Sequence, residues 1–183
     1  VLFVPEERFG IWRNDGIYYN GKGRIMDGIR IAGVQVRRAY LTGIKGIAMA
    51  ALAGYLSGSG VVLAGSDTTE RFPSDDILAR LGIIPDTGFD GADLSTFHPD
   101  VLIYTGAHGG KDNPQVREAI RLGIPSWPHG KALGYVMEPY RQICVAGCHG
   151  KTTTSAMIAC ILFESGFNPS YAVGCGGIFP TGL

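Results

Sequence analysis

Ile143-Cys144-Val145-Ala146-Gly147-Cys148-His149-Gly150-Lys151-Thr152-Thr153-Thr154 is the stretch on which the reading of this chain turns. The apolar run predicts a strand over 143–146, and the polar loop 147–150 follows it. Residues 151–164 then read as a helix with Met157, Ile158, Ile161 and Leu162 on one face, stopping at Gly166. Strand, glycine-rich loop and helix in that order suit a phosphate group. Glycines let successive backbone N–H groups turn inward, and the helix start adds unpaired N–H groups and the positive end of its dipole. Lys151 is then placed to reach β and γ phosphates, with the Thr152 hydroxyl as a Mg²⁺ ligand. The pattern G-x-x-x-x-G-K-[ST] is incomplete, because Val145 stands at its first position, so an ordinary glycine-rich turn stays open as the alternative.

Upstream, apolar runs alternate with helical stretches. Strands are expected over 39–42, 61–64 and 101–105, and helices over 47–56, 75–81, 114–122 and 131–137, several ended by a glycine such as Gly82 or Gly123. This alternation is the signature of βαβ units and a parallel sheet. Residues 1–38 have a different texture: Asn14-Asp15-Gly16 and Asn20-Gly21 are turn signals, and Ile29, Ile31, Val34 and Val36 alternate around Gly33 as in a hairpin. The expected fold class is therefore α/β. A Rossmann-like parallel-sheet domain over 39–140 is followed by the start of a P-loop ATPase domain over 141–183 and preceded by a short β-rich extension, 1–38, of unassigned role.

Composition narrows the function classes. The 28 glycines and 10 prolines in 183 residues fall short of low complexity, and 45% hydrophobic with 17% charged residues describes a globular chain. A formal charge of zero excludes the basic footprint of a general nucleic-acid binder. Cys144, Cys148, Cys160 and Cys175 form no C-x-x-C pair, which points to reduced thiols and a cytoplasmic setting. The uncharged stretch 46–66 is long enough to span a bilayer, but Ser57-Gly58-Ser59-Gly60 divides it into a buried helix, a turn and a strand. The first residues lack a basic segment followed by an apolar one, so neither signal peptide nor membrane partner is expected.

Two further loops carry candidate chemistry. Gly43 and Gly46, after a strand and before a helix, make a weak dinucleotide signal, since Lys45 and Ala48 stand where G-x-G-x-x-G wants glycine. Asp67 follows at the distance where such folds place a ribose-binding carboxylate. Tight strand-helix packing and ligand binding are both open here. Thr105, Gly106, Ala107, His108, Gly109 and Gly110 form a second glycine-rich loop at the carboxyl end of a strand, where open parallel sheets bind ligands. His108 there is either a donor to a phosphate oxygen or an exposed loop histidine.

Gly147-Cys148-His149-Gly150-Lys151-Thr152-Thr153-Thr154 resembles the ATP loop of the Mur ligases in its histidine-containing form, with cysteine at 148 where threonine is usual. Gly43-Ile44-Lys45-Gly46-Ile47-Ala48-Met49 resembles their glycine-rich first turn, and Gly65-Ser66-Asp67, Tyr104-Thr105-Gly106-Ala107, Asp112-Asn113-Pro114 and Gly123-Ile124-Pro125 fit the same template. The resemblance begins at about Ala39. It implies ATP and Mg²⁺ as cofactors, with Gly147, Cys148, His149, Gly150, Lys151, Thr152 and Thr153 around ATP, Lys151 and Thr152 catalytic, and Thr152 on the metal. It also implies a UDP-sugar site on Gly43, Ile44, Lys45, Gly46, Ile47, Ser66, Asp67, Thr105, Gly106, Ala107 and His108, with Lys45 as a cation beside the diphosphate and Ser66 and Asp67 at the nucleoside. The implied substrates are UDP-N-acetylmuramate and an amino acid, L-alanine first among them, joined through an acyl phosphate. A murein tripeptide ligase of cell-wall recycling, a non-catalytic nucleotide-sugar-binding module and a nicotinamide-dependent oxidoreductase are the competing readings. The chain stops at Leu183, whereas the resemblance implies a further glutamate for Mg²⁺, more ATPase strands and a third domain. Residues 1–183 alone are accordingly expected to bind the UDP-sugar without ligating it.

Overall fold

The computed structural model describes residues 2–4, 11–12, 18–19, 27–90, 94–167 and 169–171; the turn signals at Asn14-Asp15-Gly16 and Asn20-Gly21, and Cys175, lie outside them. The elements begin with β1 (Leu2–Val4), β2 (Ile11–Trp12), β3 (Tyr18–Tyr19), β4 (Ile29–Ile31), β5 (Val34–Val36) and β6 (Arg38–Thr42). Next come α1 (Ile47–Gly58), β7 (Val62–Asp67), α2 (Asp75–Arg80), β8 (Asp86–Thr87), α3 (Leu94–Phe97) and β9 (Val101–Tyr104). They end with α4 (Pro114–Arg121), β10 (Ser126–Pro128), α5 (His129–Met137), β11 (Arg141–Ile143), α6 (Lys151–Glu164) and β12 (Ser170–Tyr171).

The central sheet runs β10-β9-β6-β7-β8 and every pairing in it is parallel. Its inner strands β6, β7 and β9 are mostly apolar because helices cover both faces. Side chains alternate across a strand, so Leu41 and Ile103 point into one core with Met49, Leu52 and Leu56 of α1 and Val136 of α5. Tyr40 and Leu102 point into the other, with Leu94 of α3 and Val116 and Ala119 of α4. The order of the strands fixes where a ligand can sit. The central sheet starts at β6, builds outward through β7 and β8, then continues on the other side of β6 with β9 and β10, leaving a switch point between β6 and β9. At such a point connections run to opposite faces of the sheet, and it is at the carboxyl ends of the strands there that open parallel sheets bind ligands in a crevice.

The hairpin expected around Gly33 is present as β4 paired antiparallel with β5. It is not detached: Ile31 and Val36 are fully buried in the same core as Leu41. The strand expected over 143–146 is displaced and differently partnered. β11 ends at Ile143, and it pairs antiparallel with β1, which in turn pairs antiparallel with β12. Residues from 1–38 thus supply the middle strand of a second, three-stranded sheet. Apolar alternation signals a strand but carries no information about partner or direction, which explains the difference.

Helices α1 and α5 are tied by a polar contact, His129 Nε2 to the Ala48 carbonyl at 3.0 Å. Burial pushes the His129 imidazole below its ordinary pKa, against the smaller opposite pull of that bond. The unfolded histidine takes up its proton near pH ~6.5, the folded one only at lower pH. Stability from this group is therefore complete above the ordinary value and declines as the pH falls below it. Urea unfolding across that range should show stability falling toward acid, and His129→Gln should flatten this part of the profile.

Candidate functional site

Three loops meet at the switch point: 43–46 after β6, 68–74 after β7 and 105–110 after β9. Gly43 has φ of 80°, a left-handed backbone. A Cβ on it would press into the Thr105 side chain, so the loops after β6 and β9 touch at a place where only glycine fits. The turn is then closed internally. The N–H groups of Gly43 and Ile44 donate to the Ser66 carbonyl at 2.8 and 3.2 Å, and Gly46 N–H donates to the Gly43 carbonyl at 3.3 Å. Lys45 N–H donates to Asp67 Oδ2 at 2.7 Å.

These bonds occupy the donors of the turn itself. The backbone N–H groups of 43–46 are engaged within the protein, while the first helical bond of α1 is Ala50 N–H to the Gly46 carbonyl. The N–H groups of Ile47, Ala48 and Met49 are therefore the open donors that face out of the helix end. The N-cap of α1 is Gly46, without a side-chain cap and with no acidic residue in the first turn. By contrast, Asn113 Oδ1 caps α4 by accepting from Gln115 N–H at 2.9 Å, and α2 carries Asp75 and Asp76 in its first turn. Of these three helix starts, the one at the switch point is left available to a negative group.

The other expected contacts of the nucleotide-sugar site divide. Lys45, expected beside a diphosphate, is held against the loop after β7: Nζ donates to the carbonyls of Thr68 and Glu70 at 3.0 and 2.8 Å, and lies 3.6 Å from Asp75 Oδ1. Ser74 Oγ donates to the Lys45 carbonyl, so this residue staples the loop after β7 into the wall of the crevice. Ser66, expected at the nucleoside, is fully buried and its hydroxyl donates to Gln115 Oε1 at 2.7 Å. Asp67 is also buried, accepting from Lys45 N–H and from Thr68 N–H at 2.8 Å. The carboxylate expected at a ribose thus holds backbone N–H groups of the loops after β6 and β7.

His108 is exposed on the loop after β9, with Nε2 3.7 Å from Asp67 Oδ1 and its ring stacked on Phe89, centroids 4.8 Å apart. Thr105 N–H donates to the Thr42 carbonyl at 3.1 Å, Ala107 N–H to Thr105 Oγ1 at 3.3 Å, and Asn113 Nδ2 to the His108 carbonyl at 2.9 Å. Phe89, Thr42 and Gln115 were not among the expected residues. Phe89 follows Gly88 in a turn region without periodicity, so no sequence pattern marks it.

The second candidate region is the loop before α6. Gly147, Cys148, His149 and Gly150 are exposed, as are Lys151, Thr152 and Thr153 at the helix start. The helix begins on Gly150 in the left-handed conformation, φ 75°, again without a side-chain cap or an acidic first turn. Lys151 curls back on its own loop, Nζ donating to the carbonyls of Gly147 at 2.7 Å and Cys148 at 3.0 Å. Among the described residues no group of three His, Cys, Asp or Glu could hold a metal ion. Thr152 offers an exposed hydroxyl at the helix start, the kind of oxygen that a Mg²⁺ carried by nucleotide phosphates would accept.

No helix among the described residues is long and apolar enough to cross a membrane. A model described as "Mur ligase family, catalytic domain" matches residues 38–141. The UDP-N-acetylmuramate--L-alanine ligase of Treponema pallidum is 39% identical over 144 residues, 79% of this chain and 29% of that protein. The enzyme of the same name from Chlorobium chlorochromatii is 34% identical over 140 residues, 76% of this chain and 29% of that one. Among solved structures, the UDP-N-acetylmuramate:L-alanyl-gamma-D-glutamyl-meso-diaminopimelate ligase of Neisseria meningitides superposes with a TM-score of 0.64 at 31% identity, covering 71% of this chain and 40% of that one. The UDP-N-acetylmuramate-alanine ligase of Thermotoga maritima gives 0.63 at 28% identity, covering 70% and 29%. The chain thus spans 29% of the length of these curated relatives.

Proposed function

Since the chain belongs to the Mur ligase family, we propose that it carries the nucleotide-sugar site and the ATP loop of a cytoplasmic ligase joining L-alanine to UDP-N-acetylmuramate. The observation that carries this reading is the pair of helix starts, α1 at the switch point and α6 after the strand-loop, each opened by glycine and free of acidic residues. Two anion sites of this kind suit a reaction with two phosphate-bearing substrates. The diphosphate of the UDP-sugar is placed at Ile47, Ala48 and Met49, with His108 as a side-chain donor from the opposite loop. The triphosphate is placed at the loop 147–150.

The chemistry asked of these residues is mostly positioning. A muramoyl carboxylate oxygen bonds to the γ phosphorus of ATP, ADP leaves, and the amine of the amino acid then displaces phosphate from the acyl carbon as it loses a proton. Negative charge builds on the transferring group. The N–H groups at the start of α6 are fixed donors for that charge, and the Lys151 ammonium, held by the Gly147 and Cys148 carbonyls, would turn from them to the phosphate; such donors act most strongly where charge develops. When bound, Mg²⁺ neutralises further charge on the same oxygens.

Titration calorimetry with UDP-N-acetylmuramate, NADH and Mg-ATP tests the reading. Saturable binding of the UDP-sugar, displaced by UDP, is expected, with none for NADH. Binding of NADH without binding of the UDP-sugar would overturn it in favour of an oxidoreductase. A second reading, ligation of a preformed peptide, is favoured by the likeness to the Neisseria structure. The product formed by the intact protein when offered L-alanine or L-alanyl-γ-D-glutamyl-meso-diaminopimelate separates the two.

A further inference from the structure

The glutamine at 115 lies inside α4, 3% exposed, and makes polar contacts to two strands, β6 and β7, and through Tyr40 to a third, β8. Its Oε1 accepts from Thr42 Oγ1 of β6 at 2.9 Å and from Ser66 Oγ of β7 at 2.7 Å. Its Nε2 donates to the Tyr40 hydroxyl at 3.2 Å, and that hydroxyl donates to Asp86 Oδ2 of β8 at 3.3 Å. Buried polar groups linked in this way strengthen one another and fix a single arrangement.

The residues it holds are those that anchor the crevice. The Ser66 carbonyl accepts both Gly43 N–H and Ile44 N–H, which sets where the turn ends and α1 begins. The Thr42 carbonyl accepts Thr105 N–H, which sets where the loop after β9 departs. Through the Asn113 cap on its own N–H, Gln115 is also joined to the residue that binds the His108 carbonyl. One side chain therefore touches the supports of both walls while remaining out of reach of any ligand.

We propose that Gln115 is a positioning residue for the nucleotide-sugar site: its buried amide locks Thr42 and Ser66 together and thereby sets the spacing between the start of α1 and the 105–110 loop. This rests on the nucleotide-sugar reading of the crevice. Gln115→Met keeps the length of the side chain and removes both polar atoms. It leaves two buried hydroxyls without their acceptor, so the site should lose order beyond any general loss of stability.

The test uses the full chain, with UDP-N-acetylmuramate as calorimetric probe and amide hydrogen exchange as a ligand-free readout. Gln115→Met is expected to weaken binding roughly tenfold, the equivalent of one unmade buried hydrogen bond. It should also speed exchange at Gly43, Ile44 and Thr105 while leaving Leu102, bonded to the Pro125 carbonyl, unchanged. Gln115→Glu, which keeps the acceptor oxygens, should recover most of the affinity. A lower melting temperature with unchanged affinity and unchanged exchange at the three amides would show a purely structural role and overturn the proposal. Ser66→Ala is the milder companion, expected to speed exchange at Gly43 and Ile44 but not at Thr105; no change there also overturns it. Failure of the unmodified chain to bind the UDP-sugar would instead remove the reading of the crevice, and the exchange pattern would still decide whether Gln115 holds the loops.

Discussion

Lys151→Ala in the intact protein is expected to lower turnover at least ~100-fold, the loss seen when one preorganised donor is removed from a site of developing charge. The geometry makes this a clean experiment. Lys151 is exposed and donates only to carbonyls of its own loop, so truncation leaves no buried group without a partner. Stability should stay within about 0.5 kcal/mol, the range for surface changes away from structural features. Affinity for the UDP-sugar should not change, because the proposed site lies on the loops after β6, β7 and β9. Lys151→Arg keeps the charge but not the compact ammonium, and is expected to recover little. Steady-state kinetics of the intact protein, paired with a thermal melt, reads all of this; near-normal turnover by the alanine variant would refute the ATP-loop assignment.

The largest loss of stability is expected from Gly65→Ala. Gly65 pairs with Leu41 in the parallel register of β6 and β7 and is buried. A Cβ there would press on the Leu41 carbonyl oxygen and come within 2.9 Å of Ile44 Cδ1. Backbone cannot give way as a side-chain tip can, so overpacking of about 1–3 kcal/mol is expected. In a chain of this size each kcal/mol moves the melting temperature by about 2–4 °C. The displaced Ile44 belongs to the turn below α1, so UDP-sugar affinity should fall along with stability. Gly54→Ala provides the control: Gly54 lies inside α1 with nothing within 4 Å of an added Cβ. Restoring helix propensity there should stabilise by up to about 1 kcal/mol. Urea melts of both variants check the contrast.

Much of this was legible in the sequence because the parallel sheet writes itself in apolar runs. The strands β6, β7 and β9 and the helices α1, α2, α4, α5 and α6 lie where periodicity and glycine stops place them, within a few residues at their ends. The shortest elements escaped. β8 has two residues, α3 four, and β10 is Ser126-Trp127-Pro128, framed by prolines that usually argue against a strand. At the site, spacing singled out Asp67 and Ser66 but not the hydrogen bonds they make, since whether a short polar side chain faces a crevice or its own backbone depends on where neighbouring loops run. Gln115 left a faint mark that could have been followed. It shares the inward face of α4 with Ala119, four residues on, and a glutamine on a buried helix face needs partners inside.

The antiparallel insertion of β1 between β11 and β12 bears on the order of folding. Its backbone pairs residues 2–4 with 141–143 and 170–171, contacts of very large sequence separation, whereas the central sheet grows through neighbouring βαβ units. Closing so long a loop adds little to the equilibrium entropy, since each doubling of length costs only about 0.6 kcal/mol, but non-local pairing is slow. During synthesis the first strand must also wait for partners emerging more than a hundred residues later. The small sheet is therefore expected to zip up last, after the crevice between β6 and β9 has already taken shape.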